Sequence, residues 1–324
     1  MRTGLLAGIL GTFALAQGVG GMELVRSGKP VATIVVGKKA PAPERLAASE
    51  LQRYISEMSG ARLPIATQVP EGQRPAVLVG RQAVEDAGPQ AVRAAMLHQV
   101  RDDGYVIVTI SQEPPRLVLA GREPRATLYA VYDFLDVSLG CGFFWDGDNV
   151  PRRPDVEALA VSLVSSPVFK ERTYWVPLSV YGPKRFQAAL WNLEDWKRFL
   201  RWAVKKRYNS VAIAFNGSTR AWGVAFDKAF PEAAKHRKEI RPPRNQAEKL
   251  RYTARIGWGL APERITSTLK QAMDFGRKAL GLTFTYVLTY GEFEDSLRAA
   301  HPKLNWRPEL PADYPGVAGG VRFL

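Results

Sequence analysis

Residues 44–65 read Glu-Arg-Leu-Ala-Ala-Ser-Glu-Leu-Gln-Arg-Tyr-Ile-Ser-Glu-Met-Ser-Gly-Ala-Arg-Leu-Pro-Ile, and this stretch decides the fold of the first half of the chain. Its apolar side chains recur at the three- and four-residue spacing of one helical face. They are Ala47, Leu51, Tyr54, Ile55 and Met58. Pro43 suits the first helical turn, and Gly60 suits the left-handed conformation that closes the last one. The stretch predicts an amphipathic helix that lies on a sheet.

Short runs of aliphatic and β-branched residues surround this helix, and they predict strands. They occupy residues 31–36, 76–80, 104–110 and 116–120. The polar, proline-rich residues 111–115 join the last two runs, which predicts a hairpin. A weaker helical pattern covers residues 82–96. The alternation of strands with helices predicts an α/β sandwich domain.

A further helical pattern begins at Pro124 and closes this domain. Its apolar face consists of Leu128, Val131, Leu135 and Leu139. Gly140 suits the C-terminal cap of the helix. An aromatic turn follows, in which Trp145-Asp-Gly-Asp148 has two interpretations: a carbohydrate-facing turn, or a calcium-like loop with few oxygen ligands.

The residues after Pro167 begin a second alternation of strands and helices. The predicted strands are residues 172–180, 210–215 and 283–289, and the predicted helices are residues 193–208 and 265–280. A helix between two strands implies that the strands are parallel and that the crossover is right-handed. The order is that of the opening of a (β/α)8 barrel, so the predicted fold class is α/β, a sandwich domain followed by a partial barrel.

The predicted helix at 193–208 has signals at both ends. Asn192 is a suitable N-cap, and Asp195 lies in the first turn. Lys205, Lys206 and Arg207 suit the negative end of the helix dipole. We therefore expect these three basic side chains to lie at the C-terminus of the helix.

Three segments resemble glycoside hydrolases. Residues 44–65 and 127–151 resemble the small α/β domain that precedes the catalytic barrel in α-glucuronidases, bacterial β-N-acetylhexosaminidases and α-N-acetylglucosaminidases. The segment Trp191-Asn-Leu-Glu-Asp-Trp196, followed by Tyr208-Asn209 and Ala221-Trp222, resembles the start of the barrel in the last of these families. The resemblance implies that the partner is a glycan or an oligosaccharide.

The chain of 324 residues exceeds the usual size of one domain, which predicts two. Residues 1–21 combine a positive charge, an apolar run and a small-residue triplet, the layout of a secretory signal peptide. This layout predicts a secreted or periplasmic protein; the alternative is a short buried helix. We expect the α/β domain at 22–150, a linker at 151–168 and the first part of a truncated barrel at 169–324.

The composition argues against several classes of protein. The formal charge of +14 is dispersed and accompanies no nucleic-acid-binding motif, so we expect no nucleic-acid partner. No stretch after the leader is long and apolar enough to span a membrane. The three histidines match no metal-ligand spacing and no nucleotide fingerprint occurs, so we expect no metal and no cofactor. The single cysteine, Cys141, is interpreted as a small buried residue rather than a nucleophile.

Candidate substrate contacts follow the predicted barrel strands, because the active sites of such barrels lie at the carboxyl ends of the strands. Asn216 could donate a hydrogen bond to a sugar hydroxyl, and Trp222 could stack on a pyranose ring. Alternatively, Asn216 only ends its strand and Trp222 only packs its loop. Tyr290 and Glu292 follow the third strand. Glu292 is the best-placed candidate for a catalytic carboxylate, although acidic residues here are also typical of an exposed first helical turn.

Glycosidases act through a pair of carboxylates. A (β/α)8 barrel takes about 250 residues, whereas about 155 follow residue 169. In the families that the sequence resembles, the carboxylates come mainly from the fourth strand onward. The sequence therefore predicts a fragment or truncated form of a secreted glycoside hydrolase, related to enzymes that remove terminal N-acetylhexosamine or uronic acid and lacking its own acid and base. The alternative is a non-catalytic carbohydrate-binding or scaffold protein.

Overall fold

The computed structural model describes residues 21–72, 74–110, 113–177, 188, 191–215, 231–235, 262–288, 299–300 and 321–322. Contacts within the chain divide it into two compact units. The first unit extends to Lys170 and also includes residues 204–206 and 279–281. The second unit consists of residues 171–203, residues 207–278 and the residues from 282 onward.

The first unit combines short strands with helices. Its strands are β1 (Met22–Arg26), β2 (Lys29–Pro30), β3 (Thr33–Val36), β4 (Ile65–Ala66), β5 (Ala76–Val79), β6 (Tyr105–Ile110), β7 (Arg116–Gly121), β8 (Gly142–Phe144), β9 (Gly147–Asn149), β10 (Val156–Ala158) and β11 (Ser162–Ser165). Its helices are α1 (Ala42–Ser59), α2 (Arg81–Asp86), α3 (Pro89–Ala95) and α4 (Pro124–Asp133). A 3₁₀ turn covers Leu97–Gln99, and a π-helical turn, Phe134–Ser138, extends α4.

A six-stranded sheet in the order β11-β6-β7-β5-β3-β4 carries the core of this unit. Strands β4, β3, β5 and β7 pair in parallel, whereas β6 is antiparallel to both β7 and β11. The pairing of β6 with β7 confirms the predicted hairpin. Helices α2 and α3 pack on the face that carries Val35, Leu78 and Val118. Helices α1 and α4 pack against each other and against the sheet, so the central strands are buried.

Helix α1 confirms the prediction made from its apolar stripe. All five side chains of the stripe are buried. Gly60 ends the helix with a φ of 78°, and its N–H donates a 2.9 Å hydrogen bond to the carbonyl of Ser56. This left-handed residue stops the helix and turns the chain toward β4.

Helix α4 also has the predicted buried face, since Leu128, Val131, Leu135 and Leu139 are all inaccessible to solvent or nearly so. The π-helical turn is closed by a 3.2 Å hydrogen bond from the N–H of Leu139 to the carbonyl of Phe134. Gly140, at a φ of 71°, then ends the helical path. The hairpin formed by β8 and β9 follows directly.

Two sequence interpretations differ from the structure in this unit. The helical pattern at 82–96 is divided into α2 and α3, because Gly88 adopts a φ of 99° that no helix accommodates.

Residues 151–168, for which the sequence indicates a linker, contain β10 and β11. Strand β10 pairs with β1, and β11 pairs with β6. Val156 and Ala158 of β10 are buried. Two alternating apolar residues are too few to distinguish a strand from a proline-rich linker in the sequence.

The second unit repeats a strand-helix pattern. Its elements are β12 (Thr173–Pro177), α5 (Leu193–Lys205), β13 (Ser210–Phe215), α6 (Pro231–Ala234), α7 (Pro262–Leu280), β14 (Thr283–Leu288) and β15 (Val321–Arg322). Strands β12, β13 and β14 are parallel, and β15 is antiparallel to β14. The chain therefore has the mixed α/β fold that the sequence predicts. No helix among the described residues is both long and apolar enough to cross a membrane.

The start of α5 confirms the predicted N-cap. The side chain of Asn192 accepts a 2.9 Å hydrogen bond from the N–H of Asp195, and the Asp195 carboxylate accepts one from the N–H of Asn192 at 3.2 Å. The two residues thus satisfy each other's free backbone donors in a reciprocal capping box. Trp196, Leu200 and Ala203 form part of the buried face of the helix.

Candidate functional site

The three parallel strands of the second unit end at one edge of their sheet. In register, Pro177 lies beside Ala214, and Phe215 lies beside Leu288. This edge is where a (β/α)8 enzyme would position its catalytic groups. The four residues that the sequence singles out for this edge, Asn216, Trp222, Tyr290 and Glu292, all lie outside the described residues.

The two faces of this sheet differ in character at β12. The ring of Tyr174 packs edge-to-face against Phe199 and Trp202 of α5, with centroids 5.3 and 5.5 Å apart. Burial raises the pKa of Tyr174. The next side chain, Trp175, points to the opposite face, as alternation along a strand requires, and is 54% exposed. Helix α5 therefore covers one face of β12, and an exposed indole lies on the other.

A second candidate lies in the first unit, where buried polar groups meet aromatic rings. The tyrosine–carboxylate cluster consists of Glu50, Arg53, Tyr54, Tyr132, Phe143 and Asp148. These residues come from α1, α4 and the β8–β9 hairpin. The cluster therefore joins two of the segments that resemble glycoside hydrolases, residues 44–65 and 127–151.

Each carboxylate of the cluster accepts a hydrogen bond from a tyrosine. The hydroxyl of Tyr132 donates to Oε2 of Glu50 at 2.9 Å, and the hydroxyl of Tyr54 donates to Oδ2 of Asp148. Arg53 adds a 2.9 Å ion pair to Glu50. Its guanidinium carbon lies 4.0 Å from the centroid of the Tyr54 ring. The buried charge of Glu50 is thus both paired and hydrogen-bonded.

The aromatic rings of the cluster contact one another edge-to-face. The centroid of Phe143 lies 5.5 Å from that of Tyr54 and 5.4 Å from that of Tyr132. The two tyrosine rings are 6.4 Å apart. Such T-shaped pairs place the positive edge of one ring against the negative face of the next, and each contributes about 1 kcal/mol beyond its burial.

The two tyrosines of the cluster stay protonated at neutral pH. Burial, aided by the neighbouring carboxylate of Asp148, raises the pKa of Tyr54 far above its ordinary value. Burial raises the pKa of Tyr132 as well, and Glu50 adds to the effect. Both hydroxyls therefore act as permanent donors, and neither can serve as a general base near pH 7. The arrangement is suited to fixing side chains in place rather than to transferring protons.

The sequence indicated parts of this cluster but not the whole. Tyr54 was assigned to the apolar stripe of α1, and Phe143 lies in the aromatic turn after α4. Glu50 lies outside that apolar stripe, yet it is buried. The sequence contains one signal for such a cluster: Tyr54 and Tyr132 both lie among apolar helical residues. A buried hydroxyl requires a hydrogen-bond partner, so each tyrosine indicates a polar group nearby.

In the hairpin of β8 and β9, the carboxylate of Asp148 accepts a hydrogen bond from the hydroxyl of Tyr54. The two interpretations of this turn, a carbohydrate-facing turn and a calcium-like loop, stay predictions. Nowhere in the described part of the chain do three or more His, Cys, Asp or Glu side chains group as metal ligands would. Cys141, just before the hairpin, is buried, and its pKa is raised to about 11, mainly by desolvation. The interpretation of Cys141 as a buried residue is confirmed.

Residues 23–134 match the family model described as "Glycosyl hydrolase family 67 N-terminus". The first unit is related to glycoside hydrolases. The matched residues include α1, the six-stranded sheet except β11, and all of α4, and they make up about a third of the chain. The relationship predicted from residues 44–65 is thus confirmed. A search of curated proteins found no match.

Solved glycoside hydrolases with some similarity to the chain were also found. A family GH115 4-O-methyl-α-glucuronidase with specificity for decorated arabinogalactans is 13% identical, with a TM-score of 0.49 over 86% of this chain and 44% of that one. The GH20 β-N-acetylhexosaminidase of Streptomyces coelicolor is 13% identical, with a TM-score of 0.43 over 82% and 43%. The N-acetyl-β-hexosaminidase of Streptomyces plicatus is 14% identical, with a TM-score of 0.43 over 89% and 46%. The chain spans less than half the length of these structures.

Proposed function

We propose that the chain is part of a secreted or periplasmic glycoside hydrolase that removes terminal uronic acid or N-acetylhexosamine residues from glycans. The observation that carries this proposal is the match of residues 23–134 to the N-terminal domain of a glycosyl hydrolase family. In this proposal the first unit is the non-catalytic domain. Its tyrosine–carboxylate cluster then serves to hold α1, α4 and the hairpin together.

The second unit is proposed to be the opening of a (β/α)8 barrel. Its parallel strands β12, β13 and β14, connected through helices, support this assignment. In such a barrel the helices lie outside and the opposite face turns toward the axis. Trp175 would then face the interior, where further strands would cover it.

The substrate is proposed to bind at the carboxyl ends of these strands. Asn216 and Tyr290 would bind sugar hydroxyls, and Trp222 would stack on a sugar ring. Glu292, which follows β14, is the best-placed carboxylate in this part of the protein and would contact the substrate. The paired acid and base that glycoside hydrolysis requires are proposed to come from strands other than β12, β13 and β14.

Turnover assays on the purified chain test this proposal. With aryl β-N-acetylhexosaminides and aryl α-glucuronides we expect no hydrolysis above that of heat-denatured protein. Hydrolysis that disappears in Glu292→Gln would place a working acid or base in this chain and contradict the assignment of the carboxylates.

The alternative, a carbohydrate-binding or scaffold protein without catalysis, predicts a different result. Sugar binding would then be strong in the chain itself and independent of any further barrel strands. A thermal-shift panel of glucuronic acid, N-acetylglucosamine and glucose distinguishes the two. A large shift with no turnover would favour the alternative.

A further inference from the structure

Lys205 is a buried lysine, which is rare in proteins unless the ammonium group is paired. It is the last residue of α5, and its contacts place it in the first unit. Its side chain is only 8% exposed. The Nζ atom donates a 2.6 Å hydrogen bond to Oδ2 of Asp148. The sequence indicated only that Lys205 suits the end of a helix dipole.

Three aromatic rings surround this ammonium group. Its Nζ atom lies 5.5 Å from the ring centroid of Tyr54, 5.8 Å from that of Tyr132 and 5.3 Å from that of Phe143. Each distance is within the range in which the negative face of a ring attracts a cation. The edge-to-face packing of the rings on one another fixes the shape of the enclosure.

The charges around the ammonium group are arranged to compensate its loss of water. Burial lowers the pKa of Lys205, and the hydrogen bond that its ammonium group donates to Asp148 opposes that effect. Glu50 also attracts the ammonium group, whereas Arg53 repels it. Asp148 is itself held by the hydroxyl of Tyr54, so the carboxylate is already oriented toward the position that the ammonium group occupies.

We propose that Tyr54, Tyr132, Phe143 and Asp148 form a binding site for a primary alkylammonium group, which in this chain is occupied by Lys205. The three rings select a compact cation, and Asp148 selects one that can donate a hydrogen bond. A quaternary ammonium has no such donor, and a guanidinium is larger and planar. The site is independent of the proposed hydrolase activity, because none of its members lies at the strand ends where substrate is expected.

Chemical rescue tests this site directly. Lys205→Ala removes three carbons and the ammonium nitrogen, which n-propylammonium supplies. The variant is expected to melt roughly 2–5 °C below the wild type, because Asp148 loses its ion pair and the three rings lose their cation. Added n-propylammonium chloride is expected to recover at least half of that loss, whereas 1-propanol, tetramethylammonium chloride and sodium chloride at equal concentration are not. The matched control is Lys206→Ala, in which the neighbouring exposed lysine is removed and no rescue is expected.

Several results would overturn the proposal. Equal rescue by 1-propanol would show that the site responds to filled space and not to charge. A Lys205→Ala variant as stable as Lys206→Ala would show that the ammonium group is not bound. If Lys205→Ala does not fold, Lys205→Met keeps an unbranched apolar side chain of similar length and removes the ammonium group. The double variant Lys205→Met with Asp148→Asn should lower the melting temperature by less than the sum of the two single changes. Additive losses would contradict the proposed site.

Discussion

The hydroxyl of Tyr132 donates a 2.9 Å hydrogen bond to Oε2 of Glu50, although the two residues are separated by 82 positions and both are buried. The bond joins the two helices, α1 and α4, that pack against each other in the first unit. A carboxylate in this position would be destabilising without its partners. The pairing of α1 with α4 therefore depends on a specific polar contact as well as on apolar packing.

Replacing Tyr132 with Phe should destabilise the first unit by about 1–3 kcal/mol, since Glu50 loses a buried donor. Urea unfolding followed by tryptophan fluorescence measures the change in the free energy of unfolding. The combined variant Tyr132→Phe with Glu50→Gln should lose less than the sum of the single changes. A strictly additive result would show that the hydrogen bond contributes nothing of its own.

Glu44 should make stability fall as the pH rises. Its side chain is buried, Oε1 accepts a 3.2 Å hydrogen bond from the N–H of Arg81, and Oε2 has no hydrogen-bond partner in the described structure. Burial raises the pKa of Glu44 above 4.5, and the charge of Glu85 adds to this, while the Arg81 N–H and side chain oppose it. The folded state therefore binds the proton more tightly than the unfolded state, and wild-type stability is lost as the pH rises from 4.5 through the folded pKa.

The variant Glu44→Gln cannot titrate, so it should lack this loss. Its melting temperature relative to wild type is expected to rise from about pH 4.5 until the pH passes the folded pKa of Glu44, and to level off above that pH. The matched control is Glu57→Gln, the same chemical change on the exposed side of the same helix. A pH-independent difference for Glu44→Gln would mean that Glu44 ionises as readily in the folded state as in the unfolded state.

Gly80 should tolerate no side chain. It adopts a φ of 87°, and an added Cβ would lie 2.4 Å from Oε2 of Glu44. Gly88 provides a matched control, because it adopts a φ of 99° and an added Cβ there would meet nothing within 4 Å. Gly88→Ala should therefore cost only the strain of the backbone, about 1–3 kcal/mol, whereas Gly80→Ala should cost about 1–3 kcal/mol more. Equal losses in thermal unfolding would mean that Glu44 moves aside freely.

Cys141 should resist alkylation in the folded protein. With a pKa of about 11, roughly one thiol in a thousand is ionised at pH 8. Because only the thiolate reacts and the side chain is buried, iodoacetamide should modify the folded chain very slowly. In guanidinium chloride one equivalent should react promptly, as measured by mass spectrometry. Rapid modification of the folded protein would show that the segment around Cys141 opens readily.

The parts of the fold that the sequence predicts well are those with local patterns. The stripe of α1, the hairpin of β6 and β7 and the capping box of Asn192 each depend on residues that are close along the chain. The burial of Glu50 and Lys205 was not predicted, because their partners, Tyr132 and Asp148, are distant in sequence. A charged residue at a helical position is ordinarily solvated, so only the fold could identify these as exceptions.

The same reasoning applies to the candidate sites. The strand ends of the second unit could be identified from the alternation of strands and helices, and the assignment of Asn216, Trp222, Tyr290 and Glu292 to substrate stays a prediction. The enclosure around Lys205 could not be identified, because three rings from three separate elements converge only after folding. Strands β10 and β11 were missed for a related reason, since their pairing partners lie more than fifty positions earlier in the chain.

The π-helical turn at Phe134–Ser138 has a consequence for the evolution of this domain. The π-helical turn contains one residue more than a turn of α-helix. This extra residue determines the direction in which the chain leaves α4. Removing a single residue there would rotate everything after it by about 100°, turning Phe143 away from the two tyrosines. Substitutions in this turn can thus accumulate far more easily than changes in its length.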